Sequence, residues 1–312
     1  MTTFIFDIIF PLILLALLVI LILSGLPHRK KDQKFMTLDE FIKDWIKDHG
    51  SEHKLDTYFE QMKKDPSGKL YMPLTYRGAK LFIRLGLSPN KVSIMNLILS
   101  FLIFYAVIIA GRGHTLNVLT QQPAFGSLFF LIALLVLFTG IVDGIDGAIA
   151  RLLDIKSITG AWFDNVIDRI SDTLMLVCFI PTSMLVIPQW GGLDFRWLVW
   201  TNIIVIFIYE YMRARHEGLG LHEAKPTIGE RIVRILVIAS FFVAYGSSSI
   251  AVFLTSLINP GAVTIWSATH EAVITWSMLI LQVSLLVIMI IASIQSGNYI
   301  WKNLKRMDME KT

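Results

Sequence analysis

Residues 143–151 read Asp143-Gly144-Ile145-Asp146-Gly147-Ala148-Ile149-Ala150-Arg151 and close one of the most apolar parts of the chain. Two more acids, Asp164 and Asp168, follow shortly afterwards. An ionised carboxylate in hydrocarbon is costly unless a cation or a hydrogen-bond donor compensates it. Four carboxylates in such a region need a common explanation, and a bound divalent metal is the one that we develop below.

The amino-acid composition is that of a membrane protein. Of the 312 residues, 54% are hydrophobic and only 17% are charged, which is too apolar for an ordinary soluble protein. Several apolar runs reach the ~20 residues that a helix needs to cross a bilayer. The single cysteine, Cys178, excludes an intramolecular disulfide.

The order of apolar and polar segments predicts an all-α integral membrane protein with four parts. Residues 1–27 are predicted as an N-terminal transmembrane anchor, 28–86 as cytoplasmic or interfacial amphipathic helices, 87–301 as a six-helix transmembrane core bundle, and 302–312 as a cytoplasmic tail. The six core spans are expected at about 89–110, 124–153, 160–188, 193–216, 228–258 and 267–301.

Local signals in the polar N-terminal part predict where two of its helices begin. Thr37 followed by Glu40 is a capping-box pattern, which is typical of a helix N-terminus. Pro73 suits the first turn of a later helix, expected over residues 74–85. Both segments are amphipathic and are expected at the membrane surface.

The distribution of basic residues predicts the orientation in the membrane. A basic cluster at residues 29–34 follows the first span, and seven spans would leave only Arg112 and Arg196 of the 28 Lys and Arg residues outside. By the positive-inside rule the N-terminus then faces outward and the C-terminus lies in the cytoplasm. The acidic stretch falls at the cytoplasmic end of the second core span, so the active site is expected to face the cytoplasm.

Helical spacing predicts that the four acids form two facing pairs. Residues three or four apart share one face of a helix, so Asp143 and Asp146 project together, as do Asp164 and Asp168. The short link over residues 152–159 makes the two helices antiparallel neighbours. Hard oxygen ligands in that number suit Mg²⁺ or Mn²⁺, and two ions would relieve the mutual repulsion.

The neighbouring residues favour a phosphate substrate. Gly147 and Gly160 remove side chains where a ligand must approach the backbone, and Arg151 offers a forked donor. Two metals bridging a pyrophosphate would stabilise the charge at the attacked phosphorus and on the leaving group, and one carboxylate could act as general base. The alternative is an ion-pair network between the two helices, but Arg151 and Arg169 are too few to neutralise the acids.

The spacing D-x2-D-G-x2-A-R-x8-G-x3-D-x3-D resembles the signature of the CDP-alcohol phosphotransferases, also called CDP-alcohol phosphatidyltransferases. The positions that match it are Asp143, Asp146, Gly147, Ala150, Arg151, Gly160, Asp164 and Asp168. The resemblance extends over residues 73–301. It implies that Asp143, Asp146 and Asp164 are metal ligands and that Asp168 is both a ligand and the catalytic base.

The same resemblance implies a pocket and a reaction. The residues that would line the pocket for the nucleotide of a CDP-linked lipid are Asn90, Gly147, Ala150, Arg151, Ser157 and Gly160. An alcohol hydroxyl would attack the lipid-side phosphate of CDP-diacylglycerol or CDP-archaeol and release CMP. The resemblance also implies a homodimer, and no nucleic-acid partner is expected.

A second group of basic residues bears on the acceptor alcohol. Its members are Arg213, Arg215, Arg231 and Arg234. Four guanidinium groups favour a phosphorylated polyol, although a basic cytoplasmic cap without a ligand is the alternative. The pattern R-A-R-x-E…G-E-R-x-x-R is similar to the inositol-phosphate-using branch of the family. His216 replaces a small residue of that branch, and no cation follows Gln295 before Lys302, so glycerol 3-phosphate is an alternative acceptor.

Two other functional classes compete with this interpretation. Membrane prenyltransferases also bind pyrophosphate through Asp-rich motifs and Mg²⁺, but they use two separated motifs, whereas here the acids form one cluster. A cation transporter would place its acids near the middle of the membrane on broken helices, whereas these acids lie near a cytoplasmic end beside Arg151.

Overall fold

The structure is a computed structural model that describes residues 5–28, 33–48, 55–65, 67–112, 123–182, 184–187, 191–219 and 227–310. Residues 29–31 of the basic cluster therefore lie outside the described residues. The main helices are α1 (Phe10–Leu23), α2 (Leu38–Asp48), α3 (Leu55–Met62), α4 (Met72–Arg84), α5 (Pro89–Arg112), α6 (Pro123–Leu152), α7 (Ile158–Val177), α8 (Arg196–Glu217), α9 (Arg231–Ile258) and α10 (Val263–Glu310). Two short strands, β1 (Val186–Ile187) and β2 (Leu193–Asp194), pair antiparallel between α7 and α8.

The predicted all-α membrane fold is confirmed. Five segments within the described residues are long and apolar enough to cross a bilayer, and they contain α1, α5, most of α6, α9 and α10. The helix α1 is apolar on every side and buries none of its residues, so lipid has to cover it. The remaining predicted spans, 160–188 and 193–216, correspond to α7 and α8, which carry more polar residues, and the total of seven spans stays a prediction.

Two helix ends differ from their predicted positions. The helix α7 ends at Val177 rather than near residue 188, because Pro181 lacks the amide hydrogen that a continuing helix would need. The helix α10 continues to Glu310 through the segment predicted as a tail. Lysine, arginine, methionine and glutamate are good helix formers and dominate that segment.

The contacts divide the chain into two compact units. The first comprises residues 1–101, 138–171 and 215–224. In this unit the capping box is confirmed, because the Thr37 amide donates to the Glu40 carboxylate (2.6 Å) and the Glu40 amide donates back to Thr37 Oγ1 (3.3 Å). The helix α4 approaches α6 closely, since a Cβ on Gly78 would lie 2.6 Å from Ile145 Cδ1.

The second unit comprises residues 102–137, 172–214 and 225–312. Its core is aromatic: the ring of Phe242 stacks on Phe129 and Phe179 at centroid distances of 5.8 and 5.6 Å. The helices α6 and α9 approach each other at Gly246, where an added Cβ would meet the backbone of Phe130. Small residues permit such close packing between membrane helices.

Candidate active site

Three of the four predicted acids converge in the first unit. Carboxylate oxygens of Asp143, Asp164 and Asp168 lie within 4.8 Å of one another. Like charges at this distance repel each other strongly unless protons or cations compensate them. A donor set made of carboxylate oxygens is the kind that hard divalent ions prefer, so these residues fit a metal of the predicted type.

The fourth acid, Asp146, is held by neutral donors. It is 4% exposed and accepts hydrogen bonds from Ser93 Oγ (2.5 Å) and from the amide of Gly147 (2.6 Å). The Asp164 carboxylate belongs to a residue of the same pocket wall. On the neighbouring turn, Asn96 Nδ2 donates to Asp143 (3.5 Å).

A pocket of about 500 Å³ opens beside the acids, within the size range of sites for small ligands. Asp146 and Asp164 form part of its wall. All six residues predicted to surround the nucleotide also line it: Asn90, Gly147, Ala150, Arg151, Ser157 and Gly160. The pocket therefore joins two of the four acids to the predicted nucleotide residues, whereas Asp143 and Asp168 are not among the residues that line it. The roles of all these residues stay predictions.

Local contacts explain part of the pocket wall and the close packing of α6 beside it. Ser157 Oγ accepts a hydrogen bond from the Gly160 amide (3.0 Å) and so caps the N-terminus of α7. A Cβ on Gly144 would collide with the hydroxyl of Tyr71, so this glycine allows the chain before α4 to approach α6. A Cβ on Gly147 would meet only Arg151 Nη1, at 3.6 Å. That glycine keeps the pocket wide instead.

Asp44 and Asp48, two acids of α2, contact two basic residues of the pocket wall. They belong to the N-terminal extension, by which we mean the residues before 86. Asp48 accepts from Arg151 Nε (2.9 Å), and Lys156 Nζ lies 2.8 Å from Asp44 and 2.9 Å from Asp48. Burial opposes the ionisation of Asp48, but the hydrogen bond from Lys156 and the charges of Arg151 and Lys156 outweigh it. The pKa of the Asp48 carboxyl therefore lies below its ordinary value. The pKa of Lys156 is raised, because its hydrogen bonds to Asp44 and Asp48 outweigh the effect of burial.

The predicted acceptor arginines lie in different environments. Arg234 is 2% exposed and pairs with Asp172 (2.6 Å) and Glu210 (3.0 Å). Arg231 Nε also contacts Asp172, at 3.1 Å. Buried guanidinium groups of this kind are compensated by the protein itself.

The other two arginines, Arg213 and Arg215, lie near the end of α8. Arg213 pairs with Glu230 (3.3 Å) and donates to the Tyr209 hydroxyl (3.2 Å), whereas Arg215 is exposed. The neighbouring His216 is buried, at 4% exposed.

Several residues of the site were not predicted from the sequence. Ser93 and Asn96, which contact the acids, belong to a polar stripe with Asn90 at a spacing of three on the apolar helix α5. That spacing was a usable signal, because it places all three on one helical face. Asp48 and Lys156 carried no comparable signal, since their partners are distant in sequence.

Comparison with known proteins agrees with the sequence motif. The model of the CDP-alcohol phosphatidyltransferase family matches residues 86–291. An archaetidylinositol phosphate synthase from Pyrococcus horikoshii is 27% identical over 195 residues, which cover 61% of this chain and 87% of the relative. A second protein of that description, from Aeropyrum pernix, is 28% identical over 140 residues, which cover 43% of this chain and 62% of the relative.

Solved structures show a more distant likeness. A phosphatidylinositol phosphate synthase from Mycobacterium tuberculosis, solved in complex with manganese and citrate, aligns with 73% of this chain and 88% of its own. The sequence identity is 20% and the TM-score is 0.46.

Proposed function

Because the chain belongs to the CDP-alcohol phosphatidyltransferase family, we propose that it transfers a phosphatidyl or archaetidyl group from a CDP-linked lipid to a phosphorylated polyol, with release of CMP. The proposed acceptor is inositol phosphate. One observation carries the proposal: the carboxylates of Asp143, Asp164 and Asp168 converge, and Asp164 also lines the pocket that contains the predicted nucleotide-binding residues. The proposed cation ligands and the proposed nucleotide pocket thus share a wall.

The carboxylates of Asp143, Asp146, Asp164 and Asp168 would hold the divalent ions, proposed to be two Mg²⁺ or Mn²⁺. When bound, such ions would offset the negative charge of the pyrophosphate. Ser93 and the Gly147 amide keep the Asp146 carboxylate oriented towards the site. Holding a charged group in place before the reaction reduces the cost of reorganisation.

Asp168 is proposed to take the proton from the acceptor hydroxyl. The hydroxyl oxygen then forms a bond to the lipid-side phosphorus, the pyrophosphate P–O bond breaks, and CMP leaves. Asp168 is 9% exposed, which limits the access of bulk water to the carboxylate that accepts the proton. Arg151 would donate hydrogen bonds to a phosphate of the nucleotide, and the absence of a side chain at Gly147 leaves room for that phosphate.

The acceptor assignment rests on the arginines and on the relatives. The residues proposed to bind the acceptor phosphate are Arg213, Arg215, Arg231 and Arg234. Arg234 pairs with two carboxylates, so within this proposal it would hold Asp172 in place as well as contact the phosphate, and Arg213, Arg215 and Arg231 would supply the other contacts. Two relatives are described as archaetidylinositol phosphate synthases, which favours inositol phosphate over glycerol 3-phosphate.

An acceptor panel tests the proposal. Purified protein would be given CDP-diacylglycerol or CDP-archaeol, Mg²⁺, and one of inositol phosphate, glycerol 3-phosphate, serine or free inositol, with CMP release as the readout. We expect the highest kcat/KM with inositol phosphate, and we expect a chelator to abolish CMP release until Mg²⁺ or Mn²⁺ is restored. Faster release with glycerol 3-phosphate would overturn the acceptor assignment.

The same protein in liposomes distinguishes the competing class. If no acceptor released CMP and the vesicles instead became permeable to divalent cations, the chain would be a transporter. A variant with Asp154→Asn is a matched control for both assays, because Asp154 is exposed and lies near the motif outside the pocket lining. It should behave as the unmodified protein does.

The arrangement in the membrane completes the proposal. The anchor, the interfacial helices and the six-span core are proposed to keep the predicted order, with the active site at the cytoplasmic face, and the protein is proposed to act as a homodimer. Terminal tags probed in vesicles of known sidedness would test the orientation. The mass of the detergent-solubilised protein by light scattering would test the dimer.

A further inference from the structure

The helix α2 lies before the part of the chain that the family model matches, yet it contributes to the pocket. The family match begins at residue 86, whereas Asp48, the last residue of α2, lines the pocket. Asp44 and Asp48 are four residues apart and therefore share a face. That face contacts Arg151 and Lys156, and all four residues belong to the first compact unit.

The apolar face of α2 holds the helix in place without these ion pairs. Phe41, Ile42 and Ile46 are buried, at 1 to 3% exposed. The hydroxyl of Tyr76 donates to the Met36 carbonyl just before the helix (2.6 Å), and the Tyr76 ring packs on Phe41. Because burial and capping already fix the helix, the acidic face is available for a different role.

The geometry of Arg151 indicates what that role is. Asp48 Oδ2 accepts a hydrogen bond from Arg151 Nε (2.9 Å). The Arg151 side chain is 13% exposed. Its Nη1 lies towards Gly147, 3.6 Å from the position of an added Cβ. A guanidinium group is planar and rigid, so an acid on one edge determines the direction of its other donors.

The second pair of charges fixes Lys156 in the same way. Lys156 Nζ lies 2.8 Å from Asp44 and 2.9 Å from Asp48. The lysine side chain has four rotatable bonds and loses much conformational entropy when it is ordered. The two acids therefore restrict a flexible cation to the pocket wall before any anion arrives.

We propose that Asp48 is a positioning residue for the CDP-linked lipid, which acts by fixing Arg151 with its Nη groups towards the phosphate-binding side of the pocket. Asp44 supports it by holding Lys156. This inference rests on the proposed function, because it assumes that the pocket binds a nucleotide. The N-terminal extension is then part of the substrate site and not only a membrane tether.

The test compares full-length Asp48→Asn with the matched control Asp39→Asn. Asp39 is on the same helix, is exposed, and pairs with Lys63 at 3.7 Å, away from the pocket lining. We expect Asp48→Asn to raise the KM for CDP-diacylglycerol and the Kd for CDP about 5- to 30-fold. The kcat and the acceptor KM should change less than about twofold, and Asp39→Asn should leave all four values unchanged.

A double-mutant cycle separates positioning from a general structural effect. In Arg151→Lys there is no Nε for Asp48 to fix, so adding Asp48→Asn should then alter the KM for CDP-diacylglycerol less than about twofold. Asp48→Glu should recover part of the affinity that Asp48→Asn loses. If Asp48→Asn lowered the KM, the acid would be competing with the phosphate for Arg151, and the inference would be wrong.

The control reactions distinguish a failure of the proposed function from a failure of the positioning role of Asp48. An unmodified protein that neither binds CDP nor releases CMP would overturn the proposed function and this inference with it. An active unmodified protein with an unchanged KM in Asp48→Asn would overturn the inference alone. Melting curves of each variant guard against misfolding: Asp48→Asn should remain folded at the assay temperature, and a loss of CDP affinity that disappears when only the folded fraction is counted would also count against positioning.

Discussion

The acidic site and the arginines Arg213, Arg231 and Arg234 handle charge in opposite ways. In the first unit, three carboxylates converge within 4.8 Å, and neutral donors such as Ser93 and Asn96 orient two of the four acids. In the second unit, arginines meet carboxylates directly, as Arg234 meets Asp172 and Glu210. Crowded like charges are relieved by protons or by a bound cation, whereas the arginine charges meet opposite charges of the protein. The first arrangement is suited to binding, and the second is suited first to stability.

The largest expected effect is on turnover, from Asp168→Asn in the acidic site. Removal of a general base costs about 10²- to 10⁴-fold in rate, and this residue is also a proposed metal ligand. We expect CMP release to fall by at least that factor while CDP-lipid binding is partly retained. Binding of a labelled CDP-lipid alongside a CMP assay measures both, with Asp154→Asn as the control. Full activity would remove Asp168 from its proposed role.

Among the arginines of the second unit, Arg234→Ala should mainly affect stability. Its side chain is 3% exposed, and deleting it would leave the buried Asp172 and the half-buried Glu210 without their shared partner. Breaking a buried pair in this way costs about 3–5 kcal/mol, which thermal unfolding in detergent would detect. The exposed Arg215, changed to Ala, should leave stability unaltered. An unchanged melting temperature for Arg234→Ala, together with a raised acceptor KM, would show that the two regions are more alike than we infer.

Two glycines of α6 sharpen the comparison within the acidic site. Gly144→Ala should destabilise the protein by about 1–3 kcal/mol, as overpacking does, because the added Cβ would collide with the Tyr71 hydroxyl. Gly147→Ala should not destabilise the protein and should stabilise the helix by up to about 1 kcal/mol, because alanine favours a helix interior over glycine. It should raise the KM for the CDP-linked lipid, because its Cβ would enter the pocket. Melting curves and steady-state kinetics on both variants check this. The reverse pattern would mean that Gly147 has a packing role.

The smallest effect concerns pH and the Asp48 contact. The folded-state pKa of Asp48 is lowered, so its stabilising contribution is present above the unfolded pKa, about 3.9, and is lost as the pH falls through the lower folded value. We expect the difference in melting temperature between the unmodified protein and Asp48→Asn to be constant near neutral pH, to shrink once the pH falls below about 4, and to vanish below the folded-state pKa. A difference that persisted at lower pH would not come from this carboxylate.

Much of the fold and part of the site followed from local rules. A spacing of three or four residues puts two acids on one helical face whatever the rest of the chain does, and the spacing of Asp164 and Asp168 was sufficient for that prediction. The Thr37–Glu40 capping box was predictable for the same reason, because its hydrogen bonds join neighbours. The membrane helices followed from length and apolar content. The helices α7 and α8 carry more polar residues, so length and apolar content identify them less clearly as spans.

Contacts between distant residues were a matter for the tertiary structure. Asp48 and Arg151 are separated by 103 positions, and nothing in either sequence neighbourhood specifies the partner. The same holds for Arg234. The sequence predicted it as one of four phosphate-binding arginines, whereas in the fold it pairs with Asp172 and Glu210. The residues and their helical faces were set by the sequence, since backbone geometry repeats locally. Which charges meet was decided only by packing, because ion pairs depend on distances that no local rule contains.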